Sequence, residues 1–222
     1  MDGLRLLVGG AMGLLNAASL QSFLMSSLLF YQPLSEEAGT LSTDQLVRHL
    51  NGRPGSPPST TAMQAIRDHE SPRRGGNFVT MKIVNGVKDV VDGKEDCIRL
   101  GNLYSKRDWG HSKDYVKGMW LMLQADKPDD YVLATGETTS VKEFVNMAFA
   151  QKGVELMWYH SGLKEVAIDT ASMKVVVRVD PKYFRPCEVD LLLGDSTKAH
   201  EQLGWTPEHD LKSLVVDMFM NR

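Results

Sequence analysis

Five cations stand where a phosphate can be bound: Arg73, Arg74, Lys82, Arg107 and Arg185. They lie in stretches that carry Pro, Gly and Trp rather than along periodic charged helix faces. A guanidinium in such a loop suits bidentate recognition of phosphate, because its planar fork matches two oxygens at once. Any one of these cations alone fits a surface ion pair equally well. Metal chemistry finds no support, since the six histidines show no ligand spacing. The two cysteines, Cys97 and Cys187, are too far apart for a disulfide framework or a zinc pattern, and they suit a reducing compartment.

The elements that must position these cations read as alternating strands and helices. Cys97-Ile98-Arg99-Leu100 is a short strand that leads through a polar loop into a helix with Val116, Met119, Trp120 and Leu123 on its apolar face. Tyr131-Val132-Leu133-Ala134 is expected as the next strand, after the break at Lys127-Pro128-Asp129-Asp130. Ser140-Val141-Lys142-Glu143 is a capping box, opening a helix with Val141, Phe144, Val145 and Ala148 on one face and Gly153 as its stop. Further strands fall at 154–158 and 175–179. Asp195 caps a short helix ending at Gly204, and a last helix carries Leu211, Leu214, Val215, Met218 and Phe219.

The chain has 222 residues, enough for one domain or one and a small appendage. Its 42% hydrophobic and 24% charged residues are those of a soluble globular protein, and a net charge of −3 excludes a basic nucleic-acid surface as a guide to function. The averages conceal a break. Residues 1–67 hold no lysine and eight of the 53 charged residues: Asp2, Arg5, Glu36, Glu37, Asp44, Arg48, Arg53 and Arg67. Residues 51–61 form a turn-rich stretch expected to lack regular structure.

Leu6 to Ser35 carries no charge, which raises a signal peptide or a membrane span. Six polar residues and three glycines interrupt it, so a buried helix or helix pair fits better, with a poorly folded segment as the alternative. Val8-Gly9-Gly10-Ala11-Met12-Gly13 is glycine-rich, but its spacing is not a dinucleotide fingerprint and no acidic residue follows at about 20 positions. It reads as a packing turn.

From His69 onward a series of longer motifs follows: His69-Glu70-Ser71-Pro72-Arg73-Arg74-Gly75, Leu100-Gly101-Asn102-Leu103, Arg107-Asp108-Trp109-Gly110-His111, Ala134-Thr135-Gly136 and Tyr183-Phe184-Arg185-Pro186. In this order they resemble the substrate-binding half of the GDP-mannose 4,6-dehydratases, which are extended short-chain dehydrogenases/reductases. The resemblance covers roughly residues 68–222. It implies an α/β fold, here a partial Rossmann type with a C-terminal substrate domain, and a division into an atypical segment 1–67 and a nucleotide-sugar-binding portion 68–222. It implies a lyase that converts GDP-mannose to GDP-4-keto-6-deoxymannose with NADP, at the entry to GDP-fucose synthesis, in a cytoplasmic homo-oligomer. By position it implies cofactor contacts at His69 and Arg74. It implies GDP contacts at Lys82, Arg107, Arg185 and Glu188, the last a carboxylate able to accept bonds from guanine.

The sequence departs from this family at several points. The family's Asn before His69 is Asp68, and its Arg between Thr80 and Lys82 is Met81; both changes are expected to weaken anion binding. Phe30-Tyr31-Gln32 echoes the tripeptide that precedes the family's catalytic Thr and Glu, but Pro33-Leu34-Ser35 follows. No Tyr-x-x-x-Lys pair is present, since no lysine precedes Lys82. The expectation is therefore a truncated or inactive member of the family, with no assignable catalytic residue. The alternative is a non-catalytic fragment acting on a full-length subunit. An epimerase or reductase for another nucleotide sugar fits the Arg-Asp-Trp-Gly-His and Phe-Arg-Pro blocks less well.

Overall fold

The computed structural model describes residues 5–8, 11–14, 69–126 and 129–221. Asp68, the Phe30-Tyr31-Gln32 echo and the 51–61 stretch lie outside the described residues. At the front, β1 (Arg5–Val8) and β2 (Ala11–Leu14) pair antiparallel, with Val8 opposite Ala11. This corrects the expectation of helix from Leu6 onward, at residues 6–8 and 11–14. The physical reason is legible in the sequence, where Gly-Gly between two apolar runs is a hairpin signal. A strand–glycine–strand order also removes the strand-to-helix turn that a dinucleotide site needs.

The remaining elements, in order, begin with β3 (His69–Glu70), α1 (Val79–Val91), β4 (Ile98–Leu100), β5 (Lys106–Arg107), β6 (Gly110–His111) and α2 (Ser112–Gln124). They continue with β7 (Thr139–Ser140), α3 (Val141–Ala150), β8 (Leu156–Tyr159), β9 (Val166–Asp169), β10 (Val175–Val179), β11 (Leu191–Leu192), α4 (Thr197–Leu203) and α5 (Leu211–Met220). Contacts divide the chain into two compact units. One comprises Met1–Arg67, Ser112–Thr135 and Gly194–Glu208; the other comprises Asp68–His111, Gly136–Leu193 and His209–Arg222.

The second unit is built on a four-stranded sheet in the order β4-β10-β9-β8. β10 runs parallel to β4, with Val179 opposite Leu100, whereas β9 is antiparallel to both β10 and β8. Helices α1, α3 and α5 contribute Val84, Val87, Phe144, Val145, Leu214 and Val215 to one core with Ile98, Leu100 and Val177 of the sheet. Helix α1 was not among the expected elements. Its signal was present, since Thr80, Ile83, Val84 and Val87 are buried at helical spacing.

Helix α3 starts where the capping box placed it. Ser140 accepts a bond from the Glu143 amide, and Glu143 accepts one from the Ser140 amide at 2.8 Å. Two further first-turn amides, of Val141 and Lys142, donate to the Ser105 and Leu103 carbonyls, so the helix start is also anchored to the preceding loop. Both expected stops, Gly153 and Gly204, have positive φ, 70° and 64°.

The first unit holds a smaller core of Tyr115, Met119, Tyr131, Leu133, Ala199 and Trp205. Two expectations change here. The segment 131–135 is not a strand: Tyr131 and Leu133 are buried and Val132 is exposed, but no neighbour forms a ladder with them among the described residues. Alternation alone needs only a surface on one side, whereas a strand needs a partner. Helix α2 is rolled by one position from the expected face, burying Tyr115, Gly118 and Met119 with Val116 and Trp120 half-buried. Gly118 permits this, because a Cβ there would lie 2.5 Å from Leu133 Cδ1 and 2.9 Å from Trp205 Nε1.

Removing the N-cap hydroxyl tests the fold directly. Ser140→Ala is expected to lower unfolding free energy by about 1 kcal/mol, read as a reduced urea midpoint at unchanged slope.

Candidate functional site

The parallel pairing of β4 and β10 dictates which loops meet. Parallel strands end on the same side, so the residues after Leu100 and those after Val179 emerge together. The Asp180 amide donates to the Leu100 carbonyl at 2.8 Å. Next, Gly101 lies against the Tyr183 carbonyl so closely that any Cβ would collide with it. Asn102 then makes two bonds to one residue: its Nδ2 donates to the Arg185 carbonyl, and its Oδ1 accepts from the Arg185 amide, each at 2.9 Å.

This loop carries two of the four residues expected to contact GDP, and a third reaches it from β5. Arg107 Nη2 donates to Glu188 Oε1 at 2.8 Å, and its Nη1 donates to the Lys106 and Val189 carbonyls, both at 2.8 Å. β5 is held beside β11 in parallel register, which fixes the base of Arg107 against the end of the loop. Glu188 is largely buried, and its second oxygen lies 3.7 Å from Arg185 Nη1. The two arginines thus differ sharply. The Arg107 side chain is 14% exposed and engaged on both Nη atoms, whereas that of Arg185 is 77% exposed. Of the pair, Arg185 has the guanidinium open to a solute.

Lys82, the fourth residue, projects from α1 onto the same loop, with Nζ 3.5 Å from the centre of the Tyr183 ring. Lys182 approaches that ring at 5.7 Å. Burial holds the Lys82 pKa below the ordinary lysine value; Asp180 pulls it up and Lys182 pushes it down again. Met81, expected to weaken anion binding by standing for a cation, is fully buried in the core.

His69 and Arg74 lie at a second place in the same unit. The His69-Glu70 strand pairs in parallel with Gly110-His111. Arg74 Nε is 3.3 Å from the buried Glu70 carboxylate, which also accepts from the Thr80 hydroxyl, and its guanidinium carbon sits 3.5 Å over the Phe78 ring. Burial, and then the nearby Arg74 charge, push the His69 pKa down from 6.5 to about 4, so its ring is neutral at neutral pH. Neither residue presents the row of backbone amides that holds a dinucleotide pyrophosphate, and none of the described residues forms a glycine-rich strand-to-helix turn. The described residues alone do not fit a tightly held dinucleotide.

Sequence reasoning assigned no role to Gly101, Asn102, Glu70 or Tyr183, although all four stand in the quoted motifs. A Gly-Asn pair straight after a short strand was the available signal. Two clusters have structural roles. Lys142 donates to the buried Glu165 carboxylate at 2.6 Å. Burial opposes the Lys142 charge, but bonds to Glu165 and Tyr104 outweigh it and raise the pKa. His111 meets Asp217 at 2.9 Å and ties β6 to α5. Among the described residues there is no cluster able to hold a metal ion and no helix long and apolar enough to cross a membrane.

Comparison with known proteins places this geometry. A sequence model of the family described as GDP-mannose 4,6 dehydratase matches residues 44–218. The GDP-mannose 4,6-dehydratase of Sinorhizobium fredii (strain HH103) is 53% identical over 151 residues, which is 68% of this chain and 43% of that protein. Its counterpart in Homo sapiens is 52% identical over 151 residues, 68% of this chain and 41% of that protein. The chain spans about two fifths of the length of these curated relatives. Among solved structures, RMD from Pseudomonas aeruginosa complexed with NADPH aligns with a TM-score of 0.53 at 16% identity, over 68% of this chain and 44% of that one. The dTDP-glucose 4,6-dehydratase from Bacillus anthracis in complex with NAD aligns at 0.52 and 12% identity, over 68% and 41%. At such identities the likeness shows the fold alone, a Rossmann-type α/β architecture of the extended short-chain dehydrogenase/reductase class.

The His69 environment has a measurable consequence. Its folded pKa lies below its unfolded one, so below pH 6.5 the unfolded chain takes up a proton that the folded chain refuses. Stability from this group is complete above about pH 6.5 and declines as pH falls towards 4. Denaturant titrations from pH 7 to pH 4 should show a shallower decline for His69→Gln than for the wild type; identical slopes would contradict the assignment.

Proposed function

The chain belongs to the GDP-mannose 4,6-dehydratase family, and from that premise we propose that its second unit is a recognition surface for GDP and GDP-mannose. One observation carries the proposal: Arg107, 81 positions before Glu188 in the chain, stands with it and with Arg185, and Lys82 reaches the same loop from α1. Arg185 supplies an exposed fork for the diphosphate. Glu188 supplies a carboxylate whose Oε1 is fixed by Arg107 and by the Val189 amide at 3.1 Å, leaving Oε2 for guanine N–H groups. Lys82 adds a cation kept near the loop by the Tyr183 ring.

The reaction belonging to this surface is the conversion of GDP-mannose to GDP-4-keto-6-deoxymannose, at the entry to GDP-fucose synthesis. By the family resemblance that reaction uses NADP, which would supply hydride transfer, although the described residues alone do not form a site that holds it tightly. Arg74 and His69 are the described residues on its side, Arg74 as a cation near the adenosine phosphates and His69 as a neutral hydrogen-bonding ring. The chain is proposed to work in the cytoplasm, in keeping with free thiols at Cys97 and Cys187. The portion 68–222 is proposed as the nucleotide-sugar half, preceded by an atypical segment 1–67 of which residues 44–67 fall within the family match.

The chain is proposed to bind without turning over. No Tyr-x-x-x-Lys pair exists anywhere in the sequence, so the proton-transfer step has no assignable acid or base. Incubation with GDP-mannose and NADP is expected to give no 4-keto-6-deoxy product by chromatography. A product peak that disappears when NADP is omitted would overturn this.

Binding is expected to be weak, with Kd for GDP on the order of 10⁻⁴ M, or about 5 kcal/mol. Arg185→Ala should lose roughly 1.5–3 kcal/mol of that, as for a charge-assisted contact. Equal calorimetric heats for wild type and Arg185→Ala would remove the basis of the proposal.

A further inference from the structure

We propose that Asn102 is the positioning residue for Arg185, and that Leu100-Gly101-Asn102 acts as a clasp holding the anion-binding loop at the ends of β4 and β10. The inference rests on the GDP reading of that loop and adds to it a residue that touches no ligand.

Three consecutive residues grip three successive points of the loop. The Leu100 carbonyl accepts from the Asp180 amide. Gly101 lets the Tyr183 carbonyl close against the backbone, a place where any side chain would collide. Asn102 takes both hydrogen-bonding groups of the Arg185 main chain, donor and acceptor, at 2.9 Å each. An Asn side chain carries one carbonyl and one amino group on a single plane, so it satisfies a peptide edge as a neighbouring strand would. A loop bonded at one point can still turn about it; a loop bonded through two parallel contacts cannot do so without losing one.

The need for such a clasp follows from Arg185 itself. Its side chain is 77% exposed, and its only ion pair among the described residues is the long one to Glu188. With only that long contact on the guanidinium, its reach depends on where the main chain presents it. Arg107 is the contrasting case: three short side-chain bonds fix it directly, and it needs no such support. Asn102 therefore fixes the loop so that less order has to be imposed when an anion binds, which is a gain in preorganisation.

A double-mutant cycle read by calorimetry with GDP tests this on the intact chain. Asn102→Ala is expected to weaken GDP binding about fivefold to tenfold, less than the loss of the charge-assisted contact that it positions. In an Arg185→Ala background the same substitution is expected to change affinity by less than about twofold, because the residue it positions is gone. Asn102→Asp keeps an acceptor for the Arg185 amide and loses the donor, and should fall between wild type and alanine; it also serves if the alanine variant does not fold. Unchanged binding in Asn102→Ala beside a loss in Arg185→Ala would overturn the clasp and leave the GDP reading intact. Full additivity of the two losses would show that Asn102 acts through the fold at large and would also overturn it. A folded wild type with no GDP heat would overturn the GDP reading and the positioning role together.

Discussion

Parallel pairing of β4 with β10 governs the described geometry of the second unit. In an antiparallel pair the chain leaving one strand departs from the end at which its partner begins. In a parallel pair both chains leave at the same edge, and here Leu100 and Val179 end opposite each other. Everything notable about the charged cluster follows from that coincidence. The motif after β4 reaches the loop after β10, and Arg107, a few residues further along, reaches the far end of the same loop. In open α/β sheets, the carboxyl ends of strands are where ligands collect, and the reason is the same convergence of loops.

The cluster is also a case of unequal roles among like residues. Arg107 and Arg185 are both arginines near Glu188, yet one is saturated by the protein and the other is open. The part-buried Arg107–Glu188 pair is better understood as a device that aims a carboxylate than as a stabilising bridge, since desolvating charges offsets part of their attraction. The exposed contact between Arg185 and Glu188 contributes little to stability, as solvent screens it. Its value lies in keeping a cation beside an acceptor. The resemblance treated the two arginines as equals; their exposure separates them.

Membership of a family and possession of its activity are distinct properties in this chain. The match covers about two fifths of the relatives' length. Within it Arg107, Arg185 and Glu188 stand together on a core built from the β4-β10-β9-β8 sheet and three helices. The sequence holds no Tyr-x-x-x-Lys pair. Recognition and catalysis are separable in general, because recognition depends on local loops while catalysis needs further groups at fixed distances.

Local order was legible in the sequence, because the signals that specify it lie within a few residues of each other. The capping box at Ser140, the stops at Gly153 and Gly204, the face of α5 and the strand at 175–179 all appear where periodicity and turn chemistry placed them. Even the missed helix α1 had its spacing in plain view. Partners were not legible. Asn102 finds Arg185 across 83 positions and Arg107 finds Glu188 across 81, and no short-range pattern encodes such pairs. The errors follow the same line. Tyr131 to Ala134 alternates like a strand but has no neighbour to pair with, and α2 turns its glycine face inward because Leu133 and Trp205 are there to receive it. The sequence by itself determined which elements form and which residue types can bind an anion. Only the tertiary structure decided which arginine is held and which is open, because that depends on the register of two parallel strands that meet across nearly 80 residues of intervening chain.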